Sequence, residues 1–417
     1  MNVGIKPSPL EGTLMAIPSK SYAHRMLILS ALANDETRIR LSCSSEDIEA
    51  TISCLSAIGA HIEKKEDMIF VTPVSKPVLS PVLNCKESGS TLRFLLPVVS
   101  ALFDSAGFEG GGRLPERPLS DLAGEMKRHG VEFSREKLPF KISGRLRSGE
   151  YVLPGNVSSQ YITGLLLALP QCSDLSRLSL SSKLESSPYV DMTLSALRRF
   201  GVKVIVSDRT YEIPGNQKFI SPGYIKAEGD WSNAAFFLAS GAIGGNVTVK
   251  GLDIESCQGD KAIVDYLARF GAVTKVSGDE VTVINAPLKG CHIDISDTPD
   301  LLPVLSVTAA FAEGETRFSG GTRLRLKESD RINSTVAMVR ALGGVADETG
   351  DGITVHGMRL SGGTVDSFRD HRIVMAAAVA ASHCPGPVKI IGADAAAKSY
   401  PAFFEDYTMM GGNVHVI

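Results

Sequence analysis

Six segments of the sequence start with residues that favour helix N-termini, and polar side chains that capping does not require lie close behind them. These starts read Pro18-Ser19-Lys20-Ser21, Ser88-Gly89-Ser90, Ser158-Ser159-Gln160, Gly229-Asp230, Pro299-Asp300 and Asp370-His371-Arg372. Capping by itself explains any one start. It does not explain the side chains within a turn or two, which are Lys20, Arg25, Arg93, Gln160 and Arg372. Because a helix N-terminus carries free N–H groups and the positive end of the helix dipole, cations there indicate a bound phosphate or carboxylate.

Further cations stand on segments that connect these starts. They are Arg117 in RLPERPL, Lys327 and Arg331 in LKESDR, and Lys398 in AAKSYP. A single Arg or Lys is usually a solvated surface charge. A set that keeps register with the helix starts instead indicates a shared anionic ligand.

Two alternating families of segments must position these side chains. Amphipathic segments such as GDKAIVDYLARFGAV end at a glycine, the residue that suits a left-handed helix cap. These glycines stand 68 to 72 residues apart, at Gly59, Gly130, Gly201, Gly271, Gly343 and Gly411. Between them lie segments such as HRIVMAAAVAAS, which are apolar on nearly every face and therefore predict buried helices. Short strand-like runs follow both kinds of helix.

The repeats predict an α/β fold of two inside-out domains, each built from three βαβαββ units with buried parallel helices. We expect domain I to comprise residues 1–19 and 228–417, and domain II to comprise residues 20–227. The last repeat stops soon after its amphipathic helix. We therefore expect the N-terminal strand around Thr13 to Ile17 to complete it.

Composition excludes several functions. The 417 residues carry a net charge of -3, which argues against a nucleic acid or an anionic membrane as partner. The seven cysteines are scattered, without a CxxC pair, which predicts reduced thiols and no zinc or other metal site. No apolar run is long enough to span a membrane, and the N-terminus lacks a signal-peptide core. We expect a cytoplasmic monomer without a cofactor.

The motifs at these positions resemble the 5-enolpyruvylshikimate-3-phosphate synthase family along the whole chain. The matching segments are PSKSYAHR (18–25), ESGSTLRFL (87–95), PERPL (115–119), SSQYITGLLL (158–167), SSPYVDMTL (186–194), PD (299–300), RLKESDR (325–331), DHR (370–372) and AAKSYP (396–401). The resemblance implies the same inside-out fold. It also implies transfer of the enolpyruvyl group of phosphoenolpyruvate to the 5-hydroxyl of shikimate 3-phosphate, which releases phosphate on the route to aromatic amino acids.

The resemblance also implies roles for individual residues. The shikimate 3-phosphate site would consist of Lys20, Ser21, Arg25, Ser158, Ser159, Gln160, Ser186, Asp300 and Lys327. The phosphoenolpyruvate site would consist of Lys20, Gly89, Arg93, Arg117, Gln160, Arg331, Arg372 and Lys398. Asp300 would be the base for the 5-hydroxyl and Glu328 the proton donor to the methylene carbon, with Lys20 as an alternative proton carrier. His371 would have a structural or polarising role.

Three residues depart from the family's common pattern, namely Glu87, Arg323 and Trp231. Asn is frequent at the position of Glu87, and Arg323 stands near a position of the shikimate site that is often Asn. A small residue is usual at the position of Trp231, which we assign to packing. The resemblance further implies domain closure on substrate binding. Gly89 matches the residue of the glyphosate-sensitive members of the family. The resemblance therefore implies that glyphosate competes with phosphoenolpyruvate at micromolar concentrations.

Alternative functions remain open at this point. The enolpyruvyl transferase that acts on UDP-N-acetylglucosamine shares the fold, but it typically uses a reactive Cys on a loop, and FEGGGRLPERPL contains none. An RNA 3′-phosphate cyclase shares part of the architecture and would need ATP and a nucleophilic His. A non-catalytic repeat protein could bind a phosphorylated metabolite. Such a binder would gain nothing from carboxylates such as Asp300 and Glu328 beside its cations.

Overall fold

The computed structural model describes residues 1–75 and 78–417, which fall into two compact units. Unit I comprises Met1–Ser19 and Glu228–Ile417, and unit II comprises Lys20–Ala227. Each unit contains six α-helices and twelve strands within the described residues. Each also has its own hydrophobic core.

The helices and strands of unit II follow one another in three similar blocks. Its helices are α1 (Lys20–Leu32), α2 (Glu46–Ala57), α3 (Gly89–Leu102), α4 (Ser120–Arg128), α5 (Ser159–Ala168) and α6 (Ser187–Arg199). Its strands are β3 (Thr37–Arg40), β4 (His61–Lys65), β5 (Met68–Thr72), β6 (Val82–Asn84), β7 (Ser105–Glu109), β8 (Glu132–Phe133), β9 (Phe140–Ser143), β10 (Glu150–Leu153), β11 (Ser176–Leu180), β12 (Ile205–Ser207), β13 (Thr210–Ile213) and β14 (Tyr224–Lys226).

Unit I repeats the same blocks with two strands from the N-terminus. Its helices are α7 (Trp231–Gly244), α8 (Ile263–Phe270), α9 (Leu302–Ala310), α10 (Arg331–Ala341), α11 (His371–His383) and α12 (Phe403–Met409). Its strands are β1 (Asn2–Lys6), β2 (Glu11–Met15), β15 (Asn246–Lys250), β16 (Val273–Ser277), β17 (Glu280–Ile284), β18 (His292–Asp294), β19 (Glu315–Ser319), β20 (Val345–Glu348), β21 (Ile353–His356), β22 (Gly363–Asp366), β23 (Val388–Ile391) and β24 (Asn413–Val416).

The described strands form six four-stranded sheets with one shared pairing pattern. In each sheet the first two strands are parallel and the remaining pairs are antiparallel. The orders in unit II are β14-β3-β5-β4, β6-β7-β9-β8 and β10-β11-β13-β12. The orders in unit I are β2-β15-β17-β16, β18-β19-β21-β20 and β22-β23-β1-β24. The predicted βαβαββ unit is therefore confirmed.

The strand that completes the last repeat differs from the one expected. Thr13 lies in β2, which pairs in parallel with β15 and so starts the first sheet of unit I. The strand that lies between β23 and β24 is β1. In this sheet β1 takes the position that the second strand of the hairpin holds in the other sheets, and β24 takes that of the first.

The two helix families occupy the places that their patterns predict. Helix α9 is buried along its whole length, and so is α11 as far as Ser382. The six capping glycines all adopt left-handed backbone, with φ between +74° and +108°. Since a side chain would strain that conformation, the recurrence of Gly follows from the way each amphipathic helix ends.

Candidate active site

The helix starts of unit II lie at N-termini, as their residues predict. Ser88 caps α3 by accepting a hydrogen bond from the Thr91 N–H at 3.2 Å. Ser158 caps α5 by accepting from the Gln160 N–H at 3.3 Å. Ser159 begins α5 and is buried. Capping therefore occurs here, but it involves hydroxyl groups only.

Helices α3 and α5 are linked at their first turns by polar side chains. The Arg93 guanidinium donates to Gln160 Oε1 at 3.1 Å and to the Pro118 carbonyl at 3.0 Å. The Gln160 amide in turn donates to Ser90 Oγ at 3.0 Å. Arg93 is only 3% exposed, so these partners hold its charge at the helix starts.

Gly89 lies against two guanidinium groups. A Cβ at this position would stand 2.5 Å from one terminal nitrogen of Arg93 and 2.6 Å from one of Arg117. Both distances are shorter than van der Waals contact. The absence of a side chain at Gly89 therefore lets both predicted phosphoenolpyruvate cations converge on the start of α3.

Lys20 and Arg25, both on α1, have different surroundings. Lys20 Nζ lies 2.8 Å from a carboxylate oxygen of Asp47, in an ion pair that solvent partly reaches. Arg25 is buried and donates to the carbonyls of Ser21 and Tyr189, each at 2.7 Å. Burial lowers the pKa of Arg25 to about 10, so its charge persists at neutral pH.

Ser186 lies at the start of an amphipathic helix rather than a buried one. It precedes α6 with a left-handed backbone, φ +54°, and it is buried. A non-glycine residue in this conformation is uncommon and strained, which marks the segment as one held by its surroundings.

In unit I the predicted residues meet in a set of ion pairs around Arg331, which is 1% exposed. Its guanidinium donates to Asp300 at 2.6 Å and to Glu328 at 2.7 Å. It also donates to Asp370 at 3.0 Å. Since a buried guanidinium needs charged partners, three carboxylates around one arginine make a coherent arrangement.

Asp300 joins two further cations to this set. Arg372 donates to its second carboxylate oxygen at 3.0 Å, and Lys327 Nζ lies 3.7 Å from its first. We call these six residues the ionic cluster: Lys327, Arg331 and Arg372 with Asp300, Glu328 and Asp370. The cluster brings both predicted proton-transfer carboxylates together with three predicted anion-binding cations.

The electrostatics of the cluster separate its titrating groups. Burial raises the pKa of the Asp300 carboxyl, but the neighbouring cations, Arg372 first, outweigh burial and hold this pKa well below its usual value. Burial lowers the pKa of Lys327 to about 8, against the opposing effect of Asp300. Asp300 is therefore ionised at neutral pH, and Lys327 loses its proton within reach of neutral pH.

The remaining predicted residues of unit I surround the starts of α7 and α11. His371 is buried at the first position of α11, with Nδ1 3.9 Å from Asp370. Lys398 Nζ donates to the Arg369 carbonyl at 2.9 Å. Trp231 is fully buried in the core of unit I, where its indole N–H donates to the Asp253 carbonyl at 3.0 Å.

The two other departures from the family pattern have defined neighbours. The buried guanidinium of Arg323 donates to the Ser296 carbonyl. It also contributes to the lowered pKa of Lys327, although burial is the larger cause. The Glu87 carboxyl lies directly against Gly112, in the space that a Cβ there would occupy.

Three acidic residues of these arrangements have no role in the predicted site. Asp47 pairs with Lys20, Asp370 with Arg331, and Asp260 is buried beside Ser232. Each stands in or just before the first turn of a helix, where acidic residues complement the helix dipole. An acidic residue at a helix start therefore does not indicate by itself that it contacts a cation or lies in a site.

Among residues 1–75 and 78–417, no helix has the length and apolar character that a membrane crossing requires.

Residues 5–407 match the family model of EPSP synthase (3-phosphoshikimate 1-carboxyvinyltransferase). The chain is 40% identical over 417 residues to a 3-phosphoshikimate 1-carboxyvinyltransferase of Clostridium kluyveri, covering 99% of this chain and 98% of that one. It is 38% identical to the enzyme of the same name from Clostridioides difficile, with 98% and 97% covered. The structure resembles an EPSP synthase from Acinetobacter baumannii with a TM-score of 0.83, 26% identity and 99% of both chains covered.

Proposed function

The chain belongs to the EPSP synthase family, and on that premise we propose that it transfers the enolpyruvyl group of phosphoenolpyruvate to the 5-hydroxyl of shikimate 3-phosphate. Phosphate is the second product. In the addition, the 5-hydroxyl loses its proton and bonds to the central carbon of phosphoenolpyruvate while the methylene carbon gains a proton. In the elimination, the resulting methyl group loses a proton as the bond to phosphate breaks, which restores the double bond and releases phosphate. It is a step of the shikimate pathway and needs no redox chemistry.

The observation that carries this proposal is the ionic cluster of unit I. Two anionic substrates require cations, and the two proton transfers require groups that give and accept protons. Arg331 donates to Asp300 at 2.6 Å and to Glu328 at 2.7 Å, which puts both requirements in one arrangement. A protein that bound phosphorylated metabolites without turnover would weaken its own affinity with those carboxylates.

Within this proposal Asp300 takes the proton of the 5-hydroxyl. Its depressed pKa keeps the carboxylate form, which a base needs, populated at neutral pH. Glu328 delivers a proton to the methylene carbon, and Lys20 is the alternative carrier. Arg331, Arg372 and Lys398 bind phosphoenolpyruvate, and Lys327 binds shikimate 3-phosphate.

The polar groups of unit II supply the rest of the proposed contacts. Ser158, Ser159 and Ser186 bind the phosphate of shikimate 3-phosphate together with Lys20, since N-terminal N–H groups and hydroxyls suit a phosphate. Ser21 and Arg25 bind its ring and carboxylate. Arg93, Arg117 and Gln160 bind phosphoenolpyruvate, for which the planar guanidinium offers bidentate pairing. Gly89 has no side chain and so leaves room for the Arg93 and Arg117 guanidinium groups. We further propose that the protein acts as a cytoplasmic monomer.

Phosphate release in the presence of phosphoenolpyruvate tests this function. We expect release with shikimate 3-phosphate and none with UDP-N-acetylglucosamine. Release with the nucleotide sugar alone would assign the protein to the alternative transferase. Binding of both shikimate pathway substrates without release, measured by calorimetry, would support the non-catalytic alternative. Light scattering on the purified chain tests the proposed monomer.

A further inference from the structure

Asp260 is a buried carboxyl group that the proposed reaction does not use. It lies in a short 3-10 turn, Gly259–Ala262, that leads into α8, and it is 2% exposed. One carboxylate oxygen accepts a hydrogen bond from the Ser232 hydroxyl. The other, Oδ1, is out of reach of solvent and has no hydrogen-bond partner among the described residues.

A chain of contacts connects Asp260 to the ionic cluster. Ser232, in the first turn of α7, binds Asp260 through its hydroxyl. Its backbone carbonyl accepts a hydrogen bond from Arg372 at 3.3 Å. Arg372 then donates to Asp300 at 3.0 Å. Ser232 is thus held from one side by Asp260 while it holds Arg372 from the other.

An ionised Asp260 would be costly here. A buried carboxylate needs hydrogen bonds or an ion pair to offset its lost hydration, and Oδ1 has neither among the described residues. Its charge would also matter to a ligand. The three cations and three carboxylates of the ionic cluster balance in their charged forms. A further negative charge would make this region repel the anionic substrate that Arg372 is proposed to bind.

We propose that Asp260 is a positioning residue that holds Arg372 through Ser232, and that it carries a proton while phosphoenolpyruvate binds. This inference rests on the proposed function for the identity of the anion. The carboxyl remains neutral, so Arg372 keeps its full attraction for the substrate. Ionisation of Asp260 would weaken phosphoenolpyruvate binding.

The groups around Asp260 agree with a proton at this position. Burial raises its pKa to about 7, and Asp300 of the turn before α9 and Asp230 at the start of α7 add to the rise. Arg372 of α11 and the Ser232 hydroxyl oppose it. Tyr266 of α8 also lies close enough for Asp260 to raise the pKa of its phenol, although burial is the larger cause.

Unfolding of the substrate-free protein tests the proton directly. A carboxyl whose pKa is raised on folding binds more protons in the folded state than in the unfolded state. It therefore stabilises the fold below its unfolded value near 4, and this contribution is lost as the pH rises towards 7. Wild type should lose stability relative to Asp260→Asn across that range, in parallel denaturant titrations. If the stability difference between wild type and Asp260→Asn stayed constant across this pH range, Asp260 would not carry the proposed proton.

Kinetics test the positioning role. In wild type we expect the KM for phosphoenolpyruvate to rise above pH 7, by roughly fivefold or more relative to Asp260→Asn at pH 9, because the ionised carboxyl weakens binding. The Asn variant also controls for titration of the substrate itself. Asp260→Ala should raise the KM at every pH while changing kcat less, and Asp260→Asn should restore it at pH 6.

The outcomes separate this inference from the proposed function. If Asp260→Asn raises the KM as much as Asp260→Ala, or if its pH profile matches that of wild type, Asp260 does not position Arg372 as a neutral group. If wild type releases no phosphate from the two substrates, the proposed function is wrong and the substrate part of this inference falls with it. The unfolding experiment still reports the proton, because it uses no substrate.

Discussion

The predicted substrate-binding arginines of both units lie near helix starts, but their hydrogen-bond partners differ. In unit II, Arg93 donates to the Gln160 amide and the Pro118 carbonyl, and Arg25 to two backbone carbonyls. These acceptors are neutral. In unit I, Arg331 donates to three carboxylates. Lys20 of unit II, by contrast, lies 2.8 Å from a carboxylate oxygen of Asp47.

From this difference we infer that the two units have different roles in the reaction. Neutral acceptors orient a guanidinium without cancelling its charge, which suits binding of an anion. Carboxylates beside cations weaken anion binding, but they supply groups that can exchange protons. We therefore expect substitutions at the starts of unit II to change the KM most. We expect substitutions in the ionic cluster of unit I to change kcat most.

The largest effect should come from Asp300→Asn, which keeps the shape and removes the base. We expect kcat to fall by about 10²- to 10⁴-fold, the range typical of a lost general base. Steady-state phosphate release measures it, with unfolding curves as a check on the fold. Asp347→Asn is the control, because Asp347 forms an exposed ion pair with Arg340 in the same unit. A change in KM alone would contradict the expectation that the ionic cluster acts mainly on kcat.

Arg93→Ala should have the next largest effect, on binding. Hydrogen bonds to a charged group contribute about 1.5–3 kcal/mol, so we expect the KM for phosphoenolpyruvate to rise by roughly 10- to 100-fold. The fall in kcat should be smaller. Arg145→Ala, at an exposed ion pair with Asp104 in unit II, serves as the control. If kcat fell while the KM stayed constant, Arg93 would act in the chemical step instead.

The contrast between units also explains what the sequence could predict. The repeat unit was predictable because two signals recur in it, a helix that is apolar all round and a glycine with left-handed backbone. The places of β1 and β2 were not, since two short strands near a terminus carry no mark of the sheet they join. The cations at the helix starts stood out because capping does not need them. Their partners Asp47 and Asp370 did not stand out, and neither did the buried Asp260, because an acidic residue at a helix start already has an ordinary explanation.

Lys327 allows a test of the ionic cluster that needs no substrate. Its folded pKa of about 8 lies below the ordinary value of a lysine, so the folded protein binds fewer protons than the unfolded chain above pH 8. Wild type should therefore gain stability relative to Lys327→Met as the pH rises from 8 to 10.5, by about 2 kcal/mol. Denaturant unfolding at matched pH values measures this gain.

Lys65→Met provides the contrast for that experiment in unit II. Lys65 is 61% exposed in an ion pair with Glu63, so Lys65→Met should change the free energy of unfolding by no more than about 1 kcal/mol. If the stability difference between wild type and Lys327→Met did not change with pH, the cluster would not disfavour the charge on Lys327.

Gly89→Ala should have the smallest effect, and it tests how closely unit II is fitted to its anion. The new Cβ would stand 2.5 Å from Arg93 and 2.6 Å from Arg117, so both guanidinium groups must move. We expect the KM for phosphoenolpyruvate to rise by about tenfold, which corresponds to a displacement cost of about 1.4 kcal/mol.

Gly124→Ala is a matched control, because nothing lies within 4 Å of a Cβ at that helix position. Glyphosate should also lose affinity, since the resemblance ties its binding to Gly89. An unchanged KM would show that Arg93 and Arg117 bind the substrate from positions that the methyl group does not disturb.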